Sequence, residues 1–155
     1  MKKEQEFNTW IRRMFYEQSN HKVCAQRIET TTGNGVPDIM VILPFGIYLI
    51  ESKFETTKIR PEQAAFHIRT NTIAQDDVPR CIALSAYPKT KRLVATTYNP
   101  SSITEDGIVP ATEITYALDS AGFKQFYSTL SDKPHGGIRP ILSDSARLRE
   151  ATCAD

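Results

Sequence analysis

The stretch from Gly35 to Phe54 constrains this chain more than any other. Gly35-Val36-Pro37-Asp38 leads into the apolar run Ile39-Met40-Val41-Ile42-Leu43. Pro44-Phe45-Gly46 then turns the chain, and Ile47-Tyr48-Leu49-Ile50-Glu51-Ser52-Lys53-Phe54 returns. Two apolar runs of strand length around a Pro/Gly turn predict a buried hairpin. Side chains alternate between the faces of a strand, so Glu51 and Lys53 share one face while Ile50, Ser52 and Phe54 share the other. The hairpin folds Lys53 back beside the strand that begins at Asp38. Two carboxylates and an ammonium are therefore expected within a few ångströms of one another. A solvent-exposed hairpin with a surface Glu51–Lys53 pair is the alternative, and it leaves unexplained why charges end a strand that is otherwise apolar on both faces.

The rest of the chain supplies layers for that hairpin. Phe7, Trp10, Ile11, Met14 and Phe15 recur at helical spacing, which predicts an amphipathic helix over residues 4–18. A strand is expected from Val23 to Glu29, followed by the polar, glycine-bearing loop Thr30–Gly35. Pro61 suits the first turn of a helix continuing over Glu62–Thr72. Short strands are expected at Ile82–Ser85 and Leu93–Tyr98, with a basic turn at Pro88–Lys91 between them. Beyond Ser102 the pattern weakens. Ala121–Leu130 can form a helix packing through Phe123, Phe126 and Tyr127, and residues 131–155 read as an extended or disordered tail. The expected class is α/β, a sandwich of helices and a hairpin-rich sheet centred on Ile39–Phe54, in one domain over residues 1–130.

At 155 residues the chain builds one core and is short for two. No apolar run is long enough to cross a membrane, and no apolar signal core follows Met1-Lys2-Lys3, so the expected location is the cytoplasm. The three cysteines, Cys24, Cys81 and Cys153, are far apart without a paired spacing. That argues against a disulfide framework and against a zinc site, and Cys24 and Cys81 read as small buried hydrophobes. A net charge of +1 does not mark a nucleic-acid binder by itself. Basic residues are nonetheless grouped: Arg12 and Arg13; Lys53, Lys58, Arg60 and Arg69; Lys89, Lys91 and Arg92.

Adjacent carboxylates repel unless positive charge lies between them. Mg²⁺, with Mn²⁺ able to substitute, is the natural occupant beside Asp38 and Glu51, since it takes oxygen ligands and keeps several waters. The backbone carbonyl of Ser52 is a candidate third oxygen. Such an ion acidifies water and neutralises charge growing on a phosphorane, and Lys53 can orient or help deprotonate that water. The residues thus point to hydrolysis of a phosphodiester, and to no small-molecule cofactor.

Gly35-Val36-Pro37-Asp38, Glu51-Ser52-Lys53 and Gln63 together resemble the PD-(D/E)xK nuclease superfamily. Within it they look most like the VRR-NUC and Holliday-junction-resolvase-like branch, which includes small stand-alone phage nucleases. The resemblance covers about residues 4–98 and implies a restriction-endonuclease-like core, a central mixed β-sheet flanked by helices, in agreement with the α/β reading above. By it, a first-helix glutamate assists the metal. Glu4 fits best, since it precedes Phe7 by three residues and Ile11 by seven, toward the buried stripe; Glu6 and Glu17 are the other candidates. Gln63 would position the lysine or the scissile phosphate. His67, one turn on, reads as a packing or DNA-facing residue. The resemblance further implies a homodimer acting on branched DNA such as four-way junctions, in a host-cell cytoplasm if phage-encoded. A restriction-like or general nuclease on linear duplex, and a non-catalytic DNA-binding protein of the same fold, are the alternatives.

Overall fold

The computed structural model describes residues 3–28, 35–74 and 78–131. Residues 30–34 of the expected Thr30–Gly35 loop, residues 132–155 of the expected tail, and with them Cys153, lie outside the described residues. Helix α1 spans Glu4–Gln18, β1 Cys24–Arg27, β2 Ile39–Leu43 and β3 Gly46–Phe54. Helix α2 spans Pro61–Ile73, β4 Cys81–Tyr87 and β5 Arg92–Thr97. Two short strands, β6 (Ile103–Thr104) and β7 (Gly107–Ile108), form a small hairpin ahead of β8 (Thr112–Ala117) and α3 (Ser120–Ser131).

The six-stranded sheet runs β1-β2-β3-β4-β5-β8. Only β3 and β4 are parallel, joined by α2; the other pairs are antiparallel. A central mixed sheet flanked by helices is the α/β class expected from the sequence. Parallel neighbours require a crossover, and here α2 is that crossover.

Alternation divides the sheet into two faces. Ile39, Val41, Tyr48, Ile50, Ile82, Leu84, Leu93 and Tyr116 pack with Phe7, Ile11, Met14 and Phe15 of α1 and with Phe123, Phe126 and Leu130 of α3. Phe123 anchors this layer, meeting Phe15 at 5.0 Å and Trp10 at 5.4 Å in edge-on geometry. Each fully buried aromatic or branched side chain here contributes roughly 1.5–3 kcal/mol. On the other face α2 buries Gln63, Ala64 and His67. Asn71 pins that helix to the sheet, donating to the carbonyls of Cys81 and Tyr98 and accepting from the amides of Arg80 and Cys81.

Three expectations need correction. Cys24 is exposed rather than buried, because β1 is an edge strand; Cys81 is buried as expected. Ser131 belongs to α3 rather than to a tail. Strand β8 was not foreseen: five of its six residues are exposed and only Tyr116 is buried, so hydrophobic alternation gives no signal. The one available hint was its β-branched and aromatic composition, Thr112, Ile114, Thr115 and Tyr116.

Candidate active site

The β2–β3 register pairs Ile39 with Ile50, so one step further Asp38 stands beside Glu51. Strand β3 is the third of six and lies next to its parallel neighbour β4, with Glu51 opposite Ala83 and Lys53 opposite Ser85. Helix α2 then returns across this face and presents Gln63. Gly35 makes the closure possible. It sits at φ +90°, and a Cβ there would come within 2.5 Å of the Glu62 carbonyl oxygen. Only glycine lets the approach to Asp38 lie this close to the start of α2.

Three side chains, Glu51, Lys53 and Gln63, form a connected set, with the Asp38–Ser52 pair beside it. Lys53 Nζ lies 2.8 Å from Glu51 Oε1 and donates to Gln63 Oε1 at 3.0 Å. The Gln63 amide nitrogen donates to the same Glu51 oxygen. Gln63 Oε1 also accepts the backbone N–H of Arg60 at 3.0 Å, so one amide caps α2 and holds both charged groups. Asp38 Oδ2 accepts from the Ser52 backbone N–H at 2.9 Å and from the Ser52 hydroxyl at 2.8 Å. Charged acceptors bond roughly twice as strongly as neutral ones, so this pair of donors fixes the Asp38 carboxylate.

Glu51 is 2% exposed, and its second oxygen, Oε2, is buried without a hydrogen-bond partner. Burial raises its pKa to about 7; the Lys53 hydrogen bond opposes this, while the charges of Asp38 and Glu4 add to it. His67 is fully buried, with neither ring nitrogen hydrogen-bonded. Burial first, then the nearby Lys53 charge, lowers its pKa to about 4, so it is a neutral packing residue whose ring stands edge-on to Tyr98 at 5.7 Å. Burial and the charge of Glu51 push the Cys81 thiol up, which leaves it inert.

The structure thus brings together Asp38, Glu51, Lys53 and Gln63. Glu4 is exposed and makes no hydrogen bond or ion pair among the described residues, yet its charge helps raise the pKa of Glu51. Ser52 meets the site as a double donor to Asp38, a use of its side chain that sequence reasoning missed. A lone hydroxyl on the apolar face of β3 was the available signal. His67 faces no solvent, which removes the DNA-facing half of its sequence reading.

Among the described residues no three His, Cys, Asp or Glu side chains converge into a metal cage. The donors still suit a hard cation that keeps its waters, since such ions are held by one or two carboxylates. The unpartnered Glu51 Oε2 beside the fixed Asp38 is the oxygen pair available. An apolar cleft of about 270 Å³ lined by Val78, Ile82, Thr97, Tyr116 and Leu130 lies on the α3 face of the sheet, opposite the face that carries Glu51 and Lys53.

No family model matches the chain, and no curated protein matches it. Among solved structures, the chain is similar to Hjc from Archaeoglobus fulgidus, a Holliday junction resolvase from an archaeal hyperthermophile. The identity is 14%, the TM-score 0.45, and the match covers 79% of this chain and 98% of that one. A likeness of that degree leaves the chemistry to be argued from the side chains.

Proposed function

We propose that this chain is a divalent-metal-dependent DNA endonuclease that hydrolyses phosphodiester bonds, selective for branched DNA such as four-way junctions and acting as a homodimer. The observation that carries the hydrolytic reading is Glu51: buried, tied through one oxygen to Lys53 and Gln63, and left with a free second oxygen beside Asp38. A buried carboxylate without a full set of partners costs stability, and such a group at a sheet end is best explained by a ligand. The preference for branched DNA and the homodimer rest on the resemblance of the Gly35–Lys53 motif to junction-resolving nucleases. A two-fold dimer also suits a two-fold substrate.

Asp38 and Glu51 would hold Mg²⁺ or Mn²⁺, with the Ser52 backbone carbonyl as a further oxygen and Glu4 assisting from α1. When bound, the cation supplies Lewis acidity and positive charge against the anionic transition state. The chain's own residues do the positioning. Ser52 locks the Asp38 carboxylate through two hydrogen bonds. Gln63 holds Lys53 at 3.0 Å, so that its ammonium is already placed before substrate arrives. A fixed cation aimed at developing phosphorane charge needs no reorganisation during the reaction.

Labelled four-way junction, flap, single-stranded and linear duplex DNA, incubated with Mg²⁺, Mn²⁺ or chelator, test this reading. Wild type is expected to cut the junction only when metal is present, and Asp38→Asn and Lys53→Ala to abolish cutting. Intact cleavage by either variant sinks the site assignment. Cutting of every substrate removes the junction preference and keeps the nuclease. Calorimetry with Mn²⁺ separates a nuclease from a non-catalytic fold, which would bind no metal.

A further inference from the structure

Sheet topology places two basic segments at the same end as the site. Strands β3 and β4 are parallel neighbours, with Phe54 opposite Ala86, and the Glu55 amide donates to the Ala86 carbonyl at 2.8 Å. Whatever follows each strand therefore emerges side by side. After β3 comes a loop carrying Lys58 and Arg60; after β4 comes a tight turn carrying Lys89 and Lys91, and Arg92 opens β5. All five are exposed, and no ion pair holds any of them among the described residues. Glu55 and Glu62 are the acidic residues in the same segments, so positive charge dominates.

Hydrogen bonds order the backbone that carries these side chains. The Lys58 amide donates to Thr56 Oγ1 at 3.0 Å, and the Arg60 amide to Gln63 Oε1 at 3.0 Å, so the first loop ends on the site's own glutamine. In the second segment the Lys91 amide donates to the Pro88 carbonyl at 3.2 Å, and the Lys91 carbonyl accepts from Leu118 at 2.8 Å. The Arg92 guanidinium lies over the Tyr87 ring at 5.2 Å, and its Nε donates to Thr90 Oγ1 at 3.1 Å. A stacked and hydrogen-bonded guanidinium loses little further freedom on meeting a phosphate.

We propose that Lys58, Arg60, Lys89, Lys91 and Arg92 form a contact surface, distinct from the hydrolytic residues, that grips the phosphate backbone of a DNA duplex arm beside the site. Calling that site hydrolytic rests on the reading above; the grip itself does not. At about 3.3 Å per strand residue, Tyr87 ends roughly 7 Å beyond the level of Lys53. Duplex DNA offers a phosphate about every 3.4 Å of axis on each strand, so the rim is of the scale that neighbouring phosphates require. Each neutralised phosphate releases counterions, and binding should weaken steeply with salt.

Anisotropy of a fluorescein-labelled blunt duplex in chelator, over a salt series, reads this directly because nothing is cut. The variant Lys89→Gln/Lys91→Asn removes two charges, and asparagine tolerates the left-handed backbone at position 91, where φ is +51°. Its slope of log affinity against log salt should be shallower by about 1.8, or about 0.9 per lost phosphate contact. Lys22→Gln, an exposed charge at the opposite end of the sheet, should leave the slope unchanged. An unchanged slope in the double variant, an equal change in Lys22→Gln, or no duplex binding by wild type overturns the proposal. Rim-dependent binding without metal-dependent cleavage would keep the grip and remove the nuclease. Cleavage with rim-independent binding would do the reverse.

Discussion

Gln63 Oε1 accepts the Lys53 ammonium at 3.0 Å while the amide end of the same side chain donates to Glu51, so one neutral residue sets the spacing of an ion pair. Gln63→Leu should lower cleavage roughly 10- to 100-fold, the usual cost of removing a group that orients a site. It should also cost about 1 kcal/mol of stability, because the Arg60 amide loses its acceptor. Gln63→Glu keeps both acceptor contacts but sets a carboxylate against Glu51, so its pH profile should move to higher pH. Steady-state rates across pH decide this, and an unshifted profile in Gln63→Glu would contradict the coupling.

Ser52 supplies two of the hydrogen bonds that fix Asp38, one from its backbone and one from its hydroxyl. Ser52→Ala removes only the second. A net loss of about 1 kcal/mol in orientation corresponds to a roughly five-fold slower cleavage. Ser52→Thr, which restores a hydroxyl, should recover part of that rate. Single-turnover kinetics at saturating metal measures both, and a fully active Ser52→Ala would show that the backbone amide suffices.

Glu51 should make stability fall as pH rises. Folded Glu51 keeps its proton to about pH 7, whereas the unfolded group loses it near 4.5. The folded state therefore binds the extra proton in that window, and this contribution is present below it and gone above it. His67 runs the other way: it stays neutral to about pH 4 when folded, while the unfolded imidazole protonates below 6.5, so its contribution grows with pH. Replacing Glu51 by glutamine removes only the first effect. Metal-free Glu51→Gln should gain on wild type by about 3 kcal/mol between the bottom and the top of that window. Urea unfolding at several pH values in chelator tests it, and a pH-independent difference would refute the burial argument.

Gly35→Ala should both destabilise the fold and slow cleavage. The added methyl would meet the Glu62 carbonyl at 2.5 Å, on a backbone at φ +90° that alanine disfavours. A loss of about 2 kcal/mol or more is expected from strain and displacement together. Gly107→Ala is the control, since its φ of +124° is also strained but nothing lies within 4 Å. It should cost about 1 kcal/mol and leave cleavage untouched. Thermal unfolding of the two variants gives the comparison.

Local pattern was enough to place most of the elements. The Phe7–Phe15 stripe, the Ile39–Leu43 and Ile47–Phe54 runs and Pro61 each carry their own periodicity or backbone restriction, and each became the element it suggested. Alternation along β3 also put Glu51 and Lys53 on one face before any fold was known. Strand β8 escaped because an exposed edge strand buries too little to leave a hydrophobic period. Cys24 was misjudged because a cysteine carries no mark of whether its strand is central or at an edge.

The sequence by itself determined which residues share a strand face or a helix turn, because those relations depend only on backbone geometry a few residues long. Tertiary structure decided the rest: that α2 crosses over β3 and β4 to deliver Gln63, that Ser52 turns its hydroxyl to Asp38, that His67 is sealed from solvent, and that Lys58 and Lys89 share a rim. Those relations join segments ten or more residues apart. They exist only once a parallel crossover has been closed and the apolar faces on either side of the sheet have been buried, and no short-range pattern encodes that closure.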